Sequence, residues 1–216
     1  MSDSKITTYE GEDVDVTWDG RLCIHVGECG RSAGELFLGG RKPWCQPDVT
    51  DVDDVVDVVE RCPTGALVHL RKDGVRETAV SENTVVVTNH GPLYARGDLR
   101  IEGAPDDAPG LRFRAALCRC GQSKNKPYCD NSHEKAGFRD HGAVGQKGDG
   151  LESTGGPLEI SPAKNGPFVA KGNLTIIASS GRPAWKGTKA FLCRCGESKN
   201  KPFCDGTHTK VGFRSE

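Results

Sequence analysis

Three cysteines and a histidine recur in this chain at one spacing. Cys118, Cys120, Cys129 and His133 form the pattern C-x-C-x8-C-x3-H, and Cys193, Cys195, Cys204 and His208 repeat it 75 residues later. Soft sulfur combined with imidazole is metal-ligand chemistry, so the two copies read as two metal sites. Cys118 and Cys120 are close enough in the chain to put two thiolates on a single iron. Cys129 and His133 lie four apart, and a helix starting at Asp130 would turn both toward one point. Residues between the ligands repeat too: Ser123 with Ser198, Pro127 with Pro202, Asp130 with Asp205. Donor types alone also permit structural zinc on a Cys3His set.

The interleaved Ser, Pro and Asp, matched in both copies, carry a more specific resemblance. The run C-x-C-x2-[ST]-x3-P-x-C-D-G-[ST]-H resembles the CDGSH iron–sulfur family. That resemblance implies two [2Fe–2S] clusters, each held by three cysteines and one histidine, in preference to zinc. Cys204-Asp205-Gly206-Thr207-His208 fits the motif throughout, whereas the first copy has Asn131 in place of the glycine. Where the backbone needs a positive φ, Asn is the non-glycine residue that tolerates it best.

The four remaining cysteines fall earlier in the chain. Cys23 and Cys29 are spaced C-x5-C, Cys62 precedes Pro63, and Cys45 follows Trp44. This arrangement resembles the single-cluster bacterial ferredoxins, in particular a divergent group with Pro-Trp ahead of its helix. The middle ligand position of those proteins is Val26 here, which cannot coordinate. Cys23, Cys29 and Cys62 suffice for a [3Fe–4S] cluster. A [4Fe–4S] cluster needs a fourth ligand, for which Cys45 is the spare cysteine. The other reading of Cys45 is a small buried hydrophobe. His25 and His69 read as solvated or packed.

Several elements must position these residues. Val14, Val16 and Trp18 alternate with polar residues as a strand. Val52, Val55, Val56 and Val59 mark a helix over 51–60, and Leu67–Leu70 a closing strand. Arg71–Gly74 is a polar, turn-like break. Thr84–Thr88 is a β-branched strand, and 91–101 reads as a hairpin turning at Gly97-Asp98, with its counterpart at 166–176. The glycine-rich stretch 146–150 reads as a flexible joint. The expected organisation is α+β: a small ferredoxin-like module over 1–75, then CDGSH domains over 76–145 and 151–216. Each repeat comprises a strand cap, a cluster loop and a short helix. Neither repeat is rich enough in large apolar residues to bury a core alone. The family resemblance implies that the two pair as an intramolecular pseudo-dimer, leaving the chain able to act as a monomer.

The 216 residues carry a net charge of −1, which offers no electrostatic case for nucleic acid. No apolar run is long enough to span a membrane, and no signal-peptide core follows Met1–Lys5. Ten cysteines without a secretion signal argue for metal binding in a reducing, cytoplasmic setting. Residues 1–75 hold 8 basic and 15 acidic side chains, a net of −7, and 76–216 hold 21 and 15, a net of +6. The acidic helix face of Asp51, Asp53, Asp54 and Asp57 is therefore expected to dock on the basic half. Lys124, Lys126, Lys199 and Lys201 form a repeated basic group suited to an acidic redox partner.

No nucleophile elbow, phosphate loop or H-E-x-x-H motif is present, so the chain does not read as an enzyme. Two functions follow. One is electron transfer among three clusters and a redox partner protein. The alternative is [2Fe–2S] delivery to an apo-acceptor, or redox and pH sensing, through a labile histidine ligand.

Overall fold

The computed structural model describes residues 6–32 and 34–215, so the Met1–Lys5 start lies outside the described residues. Strands β1 (Ile6–Tyr9), β2 (Val14–Asp19) and β3 (Leu67–Arg71) form an antiparallel sheet in the order β1-β2-β3. Between β2 and β3 come the one-turn helix α1 (Glu28–Arg31) and the longer α2 (Val52–Glu60). Helix α2 buries Val55, Val58 and Val59 in a core shared with Val14, Val16, Phe37 and Leu67. The valine periodicity thus marks the helix correctly, with Asp51 at its N-cap position.

The remaining strands build a single larger sheet. They are β4 (Thr84–Val87), β5 (Leu93–Arg96), β6 (Asp98–Ile101), β7 (Arg114–Leu117), then, after the one-turn helix α3 (Ser132–Lys135), β8 (Pro157–Pro162), β9 (Phe168–Ile177) and β10 (Pro183–Leu192). Helix α4 (Thr207–Lys210) closes the second repeat. The sheet order is β6-β8-β9-β4-β5-β7, with β10 also on β9. Strands of the two repeats interleave: β4 runs parallel to β9, pairing Thr84 with Thr175, and β6 runs parallel to β8, pairing Asp98 with Pro157. Val85, Leu93 and Leu99 therefore share one core with Leu158, Phe168 and Ile176. Residues 76–145 and 151–216 complete each other, which answers the shortage of apolar residues in either alone.

Two local expectations are corrected. The 91–101 segment is not a hairpin, because β5 pairs with β4 and β7 while β6 leaves for β8. Gly97, at φ 150°, is where the chain changes neighbours. A Cβ there would lie 2.0 Å from the Asn83 Oδ1. Asn83 needs that space: its Nδ2 donates to the carbonyls of Gly156 and Asn173, each at 2.9 Å. The counterpart, β9, runs straight through Gly172 as a ten-residue strand. The stretch 146–150 is likewise no free joint. Gly150 N donates to the Lys186 carbonyl at 3.0 Å, and a Cβ on Gly148 would lie 1.9 Å from that oxygen. Just before it, Val144 is buried and its carbonyl accepts from Arg182.

The N-terminal module is seated on the first repeat, but not by its acidic helix. Asp53 pairs with Arg71 and Asp57 with Arg61, all four within the module, and Asp51 and Asp54 are exposed. Backbone and apolar contacts do the docking instead. Leu22 and Ala66 join the large core, and Gly65 meets Gly110 so closely that a Cβ on Gly110 would lie 2.2 Å from the Gly65 carbonyl oxygen. Arg21 bridges Asp19 and Asp107 at the rim. Exposed charge pairs add little, whereas buried apolar area and close backbone packing hold a fixed contact. Among the described residues no helix is long and apolar enough to cross a membrane.

Candidate metal centres

Each CDGSH loop is delivered by a strand. β7 ends at Leu117 and Cys118 follows it directly; β10 ends at Leu192 and Cys193 follows. The paired thiols Cys118 and Cys120 lie 3.7 Å apart, as do Cys193 and Cys195. Cys129 Sγ is 3.5 Å from His133 Nδ1, and Cys204 Sγ is 3.3 Å from His208 Nδ1. The helices start later than Asp130 and Asp205, at Ser132 and Thr207, so the third cysteine precedes the helix in each copy. The turn between them needs a positive φ, which Asn131 adopts at 67° and Gly206 at 84°.

In each set the donors close up in pairs, and no three of them lie within 4.8 Å of one another. Backbone N–H groups reinforce the sulfurs: Gln122 N points at Cys120 Sγ, Asn131 N at Cys129 Sγ and Gly206 N at Cys204 Sγ. Burial pushes the Cys129 and Cys193 thiols up to about 11, and a bound metal cation would favour their thiolate form.

Asp130 and Asp205 tie each loop together. Asp130 accepts from Ser132 N at 3.0 Å and Lys124 N at 2.8 Å; Asp205 accepts from Thr207 N and Lys199 N. Those donors hold the Asp205 carboxyl well below its ordinary range. The sequence reading missed the part played by the arginine between the paired cysteines. Arg119 is 1% exposed and donates to the Gly91 and Thr88 carbonyls and to Asp140. Arg194 is also buried, donates to the Ala163 carbonyl and lies over Phe168. Arg194 lies near enough to Cys118 for their charges to interact, and a cation there eases the accumulation of negative charge. Its signal was legible as Cys-Arg-Cys in both copies. Lys201 Nζ folds onto the Gly196 and Ser198 carbonyls, so the basic group expected of the four lysines is partly used internally.

The two loops meet reciprocally. A Cβ on Gly121 would lie 2.8 Å from the Cys195 carbonyl oxygen, and one on Gly196 the same distance from that of Cys120. Both glycines have positive φ, 79° and 85°, and the approach leaves no room for a side chain.

The N-terminal cysteines surround a cavity of about 450 Å³ lined by Cys23, Cys29 and Cys62, with Trp18, Trp44, Ile24 and Val26 among its walls. His25 is exposed, lines the same cavity, and holds its Nδ1 4.0 Å from Cys23 Sγ. Val26 occupies the middle ligand position without a donor. Cys45 is elsewhere: it is 1% exposed in the core of the module, and burial pushes its thiol up to about 12. His69 is buried against Glu60. Glu60, His69 and Glu77 do converge within 4.8 Å, but Glu77 already pairs with Arg114 at 2.9 Å.

This cavity abuts the first CDGSH site. Ile24, next to Cys23, packs with Ala116 and Cys129, and Tyr94 lies against them. Asn131 Nδ2 donates to the Ile24 carbonyl at 2.7 Å, and Asn125 Nδ2 to that of Arg21 at 2.8 Å. The one departure from the motif thus has a use: Asn131 keeps the turn and adds a tether. Tyr94 is pushed up to about 12 by burial first, with Cys129 and Cys62 both near enough to add to the shift.

Comparison with known proteins agrees with this anatomy. Residues 9–72 match a family model described as a divergent 4Fe-4S mono-cluster, and 90–134 and 165–209 each match one described as an iron-binding zinc finger of CDGSH type. Two curated relatives, both named uncharacterized protein YjdI, from Escherichia coli K12 and O157:H7, are 44% identical over 72 residues. The match takes in 33% of this chain and 95% of each relative. No solved structure matches the chain. A divergent 4Fe-4S mono-cluster domain thus precedes two CDGSH-type iron-binding domains, and through the former the chain belongs with the YjdI proteins.

Proposed function

We propose that this chain is a cytoplasmic electron carrier with no catalysis of its own. It would hold two [2Fe–2S] clusters and one [3Fe–4S] or [4Fe–4S] cluster. The observation carrying the reading is the line of three adjoining sites. Asn131 and Ile24 join the N-terminal cavity to the first CDGSH loop, and Gly121 and Gly196 join that loop to the second. Bound clusters would supply one-electron redox chemistry at each position. The residues do the rest. Ile24, Tyr94 and the reciprocal glycines hold the sites against one another. Arg194, within charge reach of Cys118, favours added negative charge, as does the neutral histidine in place of a fourth thiolate. The reciprocal loop contacts and the shared sheet support the pseudo-dimer reading of the two repeats, and residues 1–75 act as a ferredoxin-like module.

Purified protein is expected to carry ~7 or ~8 irons per chain, four in the CDGSH repeats and three or four in the N-terminal module. Iron analysis with EPR of the oxidised protein tests this, because only a [3Fe–4S] centre is paramagnetic in that state. Zinc at the CDGSH ligands, or four irons with an intact N-terminus, would overturn it.

A second reading, [2Fe–2S] delivery to an apo-acceptor, has one observation in its favour. Cys204 is partly exposed, whereas Cys129 is 3% exposed beneath Ile24. His208→Cys is expected to lower the potential of the second site toward the plant-type range of about −400 mV and to flatten its pH dependence. The same variant should slow iron loss to an apo-ferredoxin. Potentials and loss rates equal to wild type across pH would remove the labile-histidine reading.

A further inference from the structure

The two CDGSH sites are built alike but covered differently. Around the first, Ala116 and Cys129 are each 3% exposed, because the Arg21–Ile24 loop of the N-terminal module lies over them. The corresponding residues of the second repeat are Phe191 and Cys204. Their local geometry is the same: Cys129 N donates to the Ala116 carbonyl and Cys204 N to that of Phe191, each at 2.8 Å. Yet Phe191 is 46% exposed, Cys204 is partly exposed, and Asn200, the counterpart of the tethering Asn125, is exposed. An aromatic side chain stands at the surface beside a metal ligand, where the first repeat has a small residue under a module.

We propose that the Phe191 face of the second repeat is the docking surface for an acidic, cluster-bearing electron-transfer protein. The proposal rests on the electron-carrier reading above. What the face must accept is indicated by what fills its equivalent, a loop offering an apolar side chain and backbone carbonyls. The charge of the second repeat sets the sign of such a partner. Residues 151–216 hold ten basic and five acidic side chains, a net of +5, and Lys189 sits over the Phe191 ring at 5.2 Å. Lys199 is exposed beside the ligand loop. An exposed aromatic with a lysine over its ring has the anatomy of an interface centre with a steering charge beside it. A second copy of this chain is a poor occupant, since its own Arg21–Ile24 loop is already bonded to its Asn125 and Asn131.

The test titrates the full cluster-loaded chain with an acidic plant-type ferredoxin, following heat of binding at low and high salt. Saturable binding that weakens with salt is expected, with Kd raised about tenfold or more in Phe191→Asp and again in Lys189→Glu. Both side chains are surface groups, so circular dichroism should match wild type. Absence of binding, or binding indifferent to both substitutions, overturns the proposal. So does a dimer in sedimentation that Phe191→Asp dissolves, since that would make a second copy the occupant. The electron-carrier reading is judged separately, by whether dithionite-reduced N-terminal sites equilibrate with the CDGSH sites in the same variants.

Discussion

Arg114→Leu is expected to destabilise the protein by about 3–5 kcal/mol, a large share of the ~5–15 kcal/mol by which a domain is usually stable. Arg114 is 1% exposed at the junction of the two halves. Its guanidinium donates to the Leu67 carbonyl at 3.2 Å, the Val59 carbonyl at 3.5 Å and Glu77 at 2.9 Å. Leucine fills part of the volume but leaves two buried carbonyls and a carboxylate without a partner. The double substitution Arg114→Leu/Glu77→Leu should recover much of the loss, because it removes the stranded charge as well. Urea unfolding of the three proteins measures this, and additive losses would refute it. The pair also has a pH signature. Burial raises Glu77 to about 7 from 4.5, against the pull of Arg114. The folded state therefore keeps a proton that the unfolded chain releases. Its stabilising contribution is full below about 4.5 and is lost as pH rises through about 7. Glu77→Gln should flatten that slope.

The second large effect belongs to a residue with no side chain. Gly110→Ala would place a Cβ 2.2 Å from the Gly65 carbonyl oxygen and 2.9 Å from its carbon. Both neighbours are backbone, so no rotamer change relieves the clash. Gly65 itself sits at φ 73°, with the Arg114 carbonyl also close, and cannot retreat freely. Overpacking of this kind costs about 3 kcal/mol. The strain falls on the seam between the N-terminal module and the first repeat, so the expected consequence is partial undocking. Ile24 would lift from Cys129, and the first CDGSH site would become as accessible as the second. Faster iron loss from one of the two CDGSH sites, with the other unchanged, is the result to look for. Equal loss from both, or none, would show that the seam does not cover the site.

Much of the chemistry was open to reading from residue types alone. Cys118, Cys120, Cys129 and His133, with their repeat, need only a strand, a turn and a short helix to come together, and those determinants are local. The same holds for the valine-marked helix and for Asn131, whose tolerance of positive φ substitutes for glycine. What could not be read depends on pairings between distant segments. Whether 91–101 folds back on itself or runs on to β8 turns on Asn83 entering beside Gly97. Cys45 is a cysteine like the others until the core of Val14, Phe37 and Val59 closes over it. The docking of the module likewise depends on contacts between distant segments. Charge totals are additive and visible in a sequence, while the contacts that decided it, Gly65 on Gly110 and Ile24 on Cys129, are short-range and exist only once both halves have folded. Types and spacing therefore determined which residues could hold metal. The tertiary structure alone decided which site is covered and which faces solvent, because burial is a property of neighbours far apart in the chain.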